Sequence, residues 1–77
     1  MSKHPCLNDM NPGQSAHVIK LNSSGSIRRR LLDLGLTEHT QIQCVGKSPS
    51  GDPAAFLIRG AVIAIRAIDG KDILVDL

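Results

Sequence analysis

The chain has 77 residues, with nine lysines and arginines against seven aspartates and glutamates, for a net charge of +2. That length allows one domain, near the lower limit at which a single core holds without staples, and so weak a positive balance argues against a dedicated polyanion binder. Phe56 is the one aromatic residue, which removes the stacking platforms of single-stranded nucleic-acid recognition and argues against a pocket for a flat cofactor.

Residues 1–6, Met1-Ser2-Lys3-His4-Pro5-Cys6, read as a flexible tail ahead of a single domain over 7–77. The tail lacks a signal-peptide core, and no apolar run approaches the roughly 20 residues of a membrane span. The expected location is therefore cytoplasmic, where Cys6 and Cys44 are expected to stay reduced. Met10-Asn11-Pro12-Gly13 reads as a turn. A strand comes next over Ala16 to Leu21, rich in branched residues and stopped by Asn22-Ser23-Ser24-Gly25.

The next segment carries the densest signal. From about Gly25 to Leu34 the spacing predicts a short amphipathic helix: Ile27, Leu31 and Leu34 fall at i, i+4 and i+7 on one face, while Arg28, Arg29 and Asp33 point elsewhere. Gly35 supplies the left-handed residue that closes such a helix. Cations near a helix N-terminus oppose the macrodipole by roughly 0.3 to 1 kcal/mol each, and Asp33, one turn after Arg29, is the local compensation. The arginines are then either a solvated face kept for solubility or a cationic face held for an acidic partner.

Beyond the helix, Thr40 to Val45 alternates so that Ile42 and Cys44 share one face and Gln41 and Gln43 the other, which makes Cys44 a small core residue. Lys47 to Pro53 is a loop by composition. Ala54 to Arg59 and Ala61 to Arg66 form a hairpin about a tight turn at Gly60, a turn spans Ala67 to Lys71, and a last strand runs from Asp72 to Leu77. Four or five short strands with one helix after the first predict a strongly bent antiparallel sheet that closes into a barrel and so protects its edges.

Four blocks, taken together, carry a family resemblance: Leu7-x-Asp9-x-x-Pro12-Gly13-x-x-Ala16-x-Val18, Arg30-Leu31-Leu32-Asp33-Leu34-Gly35-Leu36, Pro49-x-Gly51-Asp52-Pro53 and Arg59-Gly60-x-x-x-Ala64-x-Arg66. In this order they resemble the FeoA family, small cytosolic accessory proteins of bacterial ferrous iron transport. The resemblance runs from Leu7 to the C-terminus. It implies a mainly β, SH3-like antiparallel barrel of about five strands with one short helix after the first, no catalytic activity, and work alongside the FeoB-type membrane transporter with its cytosolic GTPase domain. The chain departs from the family pattern at Thr37-Glu38-His39-Thr40, which replaces a more usual Pro-Gly turn. SH3-like folds of this kind also occur at the C-terminus of iron-dependent repressors.

Chemistry is sparse in the residues themselves. No nucleophile-base spacing or paired-carboxylate motif marks an active site, and Gly51-Asp52-Pro53 lacks the glycine-rich run and following Lys-Ser/Thr of a phosphate loop. No enzyme activity, cofactor or nucleic-acid partner is expected. For metal, the histidines and cysteines show no zinc-type spacing, and His4 with Cys6 is the one pair worth testing. The expected function is that of a binding module on the cytosolic part of the transporter, peripheral to the inner membrane through that contact, altering its assembly or its cycle. Arg28 and Arg29 would steer the encounter, and Leu32 or Leu36, taken as exposed, would anchor it. The alternatives are a stand-alone metal-responsive SH3-like regulatory module and an RNA-binding SH3-like module. Self-association is left open by the residues.

Overall fold

The computed structural model describes residues 4–77. A short 3-10 turn, Leu7–Asp9, precedes β1 (Ser15–Leu21), α1 (Gly25–Asp33), β2 (Gln41–Lys47), β3 (Ala54–Ile58), β4 (Ala61–Ile65), the one-turn helix α2 (Ala67–Gly70) and β5 (Ile73–Val75). The protein is mainly β and SH3-like, with five antiparallel strands in the order β4-β3-β2-β1-β5. The expected elements are present with ends shifted by a residue or two, and the turn expected at Ala67 to Lys71 is the helix α2.

The bend of the sheet is built into β1. Its first half pairs with β2 (Ser15 opposite Gln43, His17 opposite Gln41), and its second half pairs with β5 (Val18 opposite Val75, Leu21 opposite Ile73). A register shift between Val18 and Lys20 lies at the start of the second half. One extra residue in a strand turns the side chains after it toward the other face: Ala16 and Val18 face inward at period two, and the shift then brings Leu21, three residues on, to the same buried side. A second shift between Cys44 and Gly46 bends β2 against β3. Phe56, Leu7, Met10, Leu36, Ile42 and Ile58 fill the core at 2 % exposure or less, and Cys44 is buried among them with a free thiol, in the core role expected of it.

The sheet does not close on itself. Closure would need β5 to pair with β4; instead β4 ends the sheet, and beside it lies a groove lined by Ile27, Arg30 and Leu31 of α1, Leu34 at its C-cap, Asp69 of α2 and Ile63 to Arg66. The edges are managed differently. On the outer side of β5, Cys6 forms a β-bridge with Leu74, and the Val75 N–H donates to Pro5 O at 2.9 Å. Pro5 and Cys6, expected in the tail, thus lie against the sheet.

Helix α1 ends in a Schellman motif. The Gly35 N–H donates to Leu32 O at 3.0 Å and the Leu36 N–H to Leu31 O at 2.9 Å, with Gly35 at φ 97°. In the replaced loop, His39 takes φ 72°, the conformation a glycine would otherwise supply, while Thr40 Oγ1 donates to Gly35 O at 3.1 Å.

The C-terminal end is fastened to β1 by Asp76, whose carboxylate accepts from the His17 N–H and lies 3.5 Å from His17 Nδ1. That backbone donor, together with the nearby imidazole, holds the Asp76 carboxyl below its ordinary value against an opposing desolvation. A depressed carboxyl contributes stability above its unfolded value, and that contribution is lost as pH falls through its folded value. Asp76→Asn is therefore expected to be less stable than the parent near neutrality and to converge with it in acid below pH 3.8. Urea midpoints measured from neutral to strongly acidic pH check this; a gap that stays constant throughout would refute it.

Candidate functional site

The residues singled out by sequence separate into two groups. Arg28, Arg29 and Leu32 lie together on the outer face of α1, where with Gly25 and Asp33 they line a shallow depression of about 300 Å³. Both arginines are exposed and Leu32 is 39 % exposed. Leu36 is not part of this face. It is 0 % exposed, because the Schellman hydrogen bonds turn the chain back at Gly35 and send the next side chain into the core cluster that also holds Leu31, itself 5 % exposed. The apolar contact between these two positions is the usual companion of that motif. The expectation that Leu36 is an exposed anchor is corrected accordingly.

Electrostatics at the start of α1 are one-sided. Ser24 is the N-cap but makes no side-chain capping bond, and the first turn holds no acidic residue. The uncapped N–H groups and the positive end of the macrodipole therefore face the same region as Arg28 and Arg29. Asp33, the compensation expected from sequence, forms no ion pair with Arg29 among the described residues. Arg28 is itself positioned: its Nη1 donates to Leu21 O at 2.9 Å, which ties the guanidinium to the end of β1. Such a surface can attract carboxylates and steer an acidic partner.

A further arginine, expected at the end of a strand and within a family block, braces the turn that follows α1. Arg59 and Gly60 form the two-residue turn between β3 and β4, both at positive φ (48° and 85°). From there Arg59 Nε donates to Gly35 O at 3.0 Å and Nη2 to Thr40 Oγ1 at 3.3 Å. An Arg-Gly pair between two apolar runs signals a hairpin, but nothing local in sequence says that the guanidinium reaches across 24 residues to the turn after a helix.

For metal, His4 is exposed, Cys6 is half-buried with a free thiol, and the Cys6 N–H donates to Asp9 Oδ2 at 2.9 Å. No group of three or more His, Cys, Asp or Glu side chains is placed to hold a metal ion among the described residues. No helix is long and apolar enough to cross a membrane among those residues.

Comparison with known proteins gives a consistent result. The FeoA domain matches residues 6–77. The solution structure of a FeoA-like protein from Clostridium acetobutylicum is 35 % identical, covers 100 % of this chain and 90 % of its own, and superposes with a TM-score of 0.87. A zinc complex of FeoA from Stenotrophomonas maltophilia, described as a prokaryotic SH3-domain protein, is 26 % identical, with 94 % of this chain and 89 % of that one covered and a TM-score of 0.83. A manganese-dependent transcriptional repressor shares the fold alone, at 12 % identity and TM-score 0.84 over 97 % of this chain and 41 % of its own. No curated protein matches the chain.

Proposed function

The chain belongs to the FeoA family, and from that premise we propose that it is a cytosolic, non-catalytic accessory protein of ferrous iron uptake that docks on the cytosolic part of a FeoB-type transporter and alters its assembly or GTPase cycle. Family membership ties the chain to ferrous iron transport, and for the Stenotrophomonas maltophilia relative a role as a ferrous iron transport activating factor has been suggested. The observation that carries the docking step is the outer face of α1, where an uncapped helix end, Arg28, Arg29 and the exposed Leu32 converge, with Asp33 on the same face but in no ion pair with either arginine among the described residues. In this reading the arginines steer approach to an acidic surface and Leu32 supplies apolar contact once the surfaces meet.

The double change Arg28→Glu with Arg29→Glu tests it. Attraction becomes repulsion, so the association rate with detergent-solubilised transporter is expected to fall by about tenfold or more at low salt. The difference should shrink as ionic strength rises, since exposed charges are screened over roughly 8 to 10 Å at moderate salt. Circular dichroism should match the parent. Unchanged association at low salt would leave the cationic face as solvated surface and defeat the reading.

A further inference from the structure

The two edges of the sheet are treated unequally. Pro5 and Cys6 cover the outer side of β5, whereas no strand, bridge or side chain pairs with the outer side of β4 among the described residues. The geometry of the Arg59-Gly60 turn fixes which groups are free. Ile58 lies opposite Ala61 across a two-residue turn with both central residues at positive φ, so that pair exchanges ladder hydrogen bonds, and by alternation Val62 and Ala64 point their N–H and C=O groups outward. Natural edge strands are blunted by charge, proline or a bulge. Here Ala61-Val62-Ile63-Ala64-Ile65 has no charged residue and no proline, and its pairing with β3 runs without a register shift. Val62 is 65 % exposed.

Beside this edge lies the groove of about 200 Å³ between β4 and the inner face of α1. Its walls are apolar at Ile27, Leu31, Leu34 and Ile63, and its charged residues are Arg30, Arg66 and Asp69. Arg66 Nε stands 3.7 Å from Asp69 Oδ2, while Arg30 forms no ion pair among the described residues. A chain laid along β4 would place alternate side chains toward the apolar wall and meet a net positive charge.

We propose that the open edge of β4, together with this groove, docks an extended acidic segment of a partner protein, which adds to the sheet as a sixth strand. Main-chain hydrogen bonds to Val62 and Ala64 supply affinity, and the groove supplies side-chain selection. A second copy of this chain is the poorer occupant: its own β4 segment, Arg59 to Arg66, carries arginine at both ends and no carboxylate to meet Arg30 and Arg66. The site is separate from the outer face of α1 and does not depend on the transporter reading.

The test uses the isotopically labelled full chain and the synthetic peptide acetyl-Val-Glu-Val-Glu-Val-Glu-amide, monitored by NMR. The expected result is that the Val62 and Ala64 amides shift and gain exchange protection. A Val-Lys peptide of the same pattern, and the acidic peptide N-methylated at alternate residues, are each expected to bind about tenfold more weakly or worse. Val62→Pro removes an outward N–H that makes no ladder bond, which an edge strand tolerates, and should remain folded while losing peptide binding. If that variant unfolds, the N-methylated peptide against the parent chain decides the matter without altering the protein. Absence of shifts at millimolar peptide, shifts confined to other surfaces, or equal binding of the lysine and N-methylated peptides would each overturn the proposal. Concentration-dependent protection of β4 without peptide would assign the edge to a second copy and overturn it too.

Discussion

Leu36→Ala is expected to destabilise the protein by about 2 to 5 kcal/mol, the range for removing a fully buried leucine. For 77 residues that is a large share of the roughly 4 to 12 kcal/mol a domain of this size possesses. The size of the effect comes from position. Leu36 is 0 % exposed and stands directly after the glycine that ends α1, so its side chain joins the helix terminus to the core under the sheet. Truncation leaves a cavity bounded by a hydrogen-bonded turn that cannot easily collapse into it. The chain has no Trp or Tyr, so urea unfolding monitored by far-ultraviolet circular dichroism is the appropriate measurement. A stability within about 0.5 kcal/mol of the parent, the usual scatter of neutral surface changes, would mean that Leu36 is not in the core.

Gly35→Ala is the second change expected to act strongly, through two separable causes. At φ 97° any side chain is strained, by roughly 1 to 2 kcal/mol. A Cβ there would also stand 2.6 Å from Arg59 Cδ and 3.0 Å from Nε, the atom that donates to Gly35 O. The guanidinium must therefore move, at a cost of about 1.5 to 3 kcal/mol for a hydrogen bond from a charged group, discounted because this side chain is exposed. Together the loss should be about 2 to 4 kcal/mol. In an Arg59→Ala background the same change should cost less, since only the backbone strain remains. Equal losses in both backgrounds would show that Arg59 contributes nothing to holding the helix end.

What is legible in the residues divides along physical lines. Elements defined by their own periodicity are present as expected: the Ile27-Leu31-Leu34 face, the inward Ile42 and Cys44, and the hairpin about Gly60 are consequences of local spacing. The Schellman signal is also local, for a glycine with a leucine directly after it at a helix end predicts that leucine's burial. Grouping Leu36 with Leu32 mistakes proximity in sequence for proximity on a surface. No local pattern contains anything set by contacts distant in the chain. The β1 register shift, the cover that Pro5 and Cys6 give β5, and the reach of Arg59 to Gly35 each depend on partners from 24 to 70 residues away by their numbers. Of the proposed docking residues, the fold brings Arg28, Arg29 and Leu32 to one face, as helical spacing requires, and withdraws Leu36.

The bridge between Cys6 and Leu74 also fixes how the chain enters and leaves the fold. Antiparallel partners at such a bridge have Cα atoms about 4.5 to 5.5 Å apart, so the segment arriving at Cys6 and the segment departing from Leu74 run side by side in opposite senses. A domain with that arrangement can be spliced into a surface loop of another protein with little distortion of the host, because the loop's two stumps need not be pulled apart. A short Gly-Ser connector can equally join the segment after Leu74 to the one before Cys6 with the chain reopened elsewhere, and the exposed loop from Pro49 to Pro53, remote in sequence from the bridge, offers a place to cut.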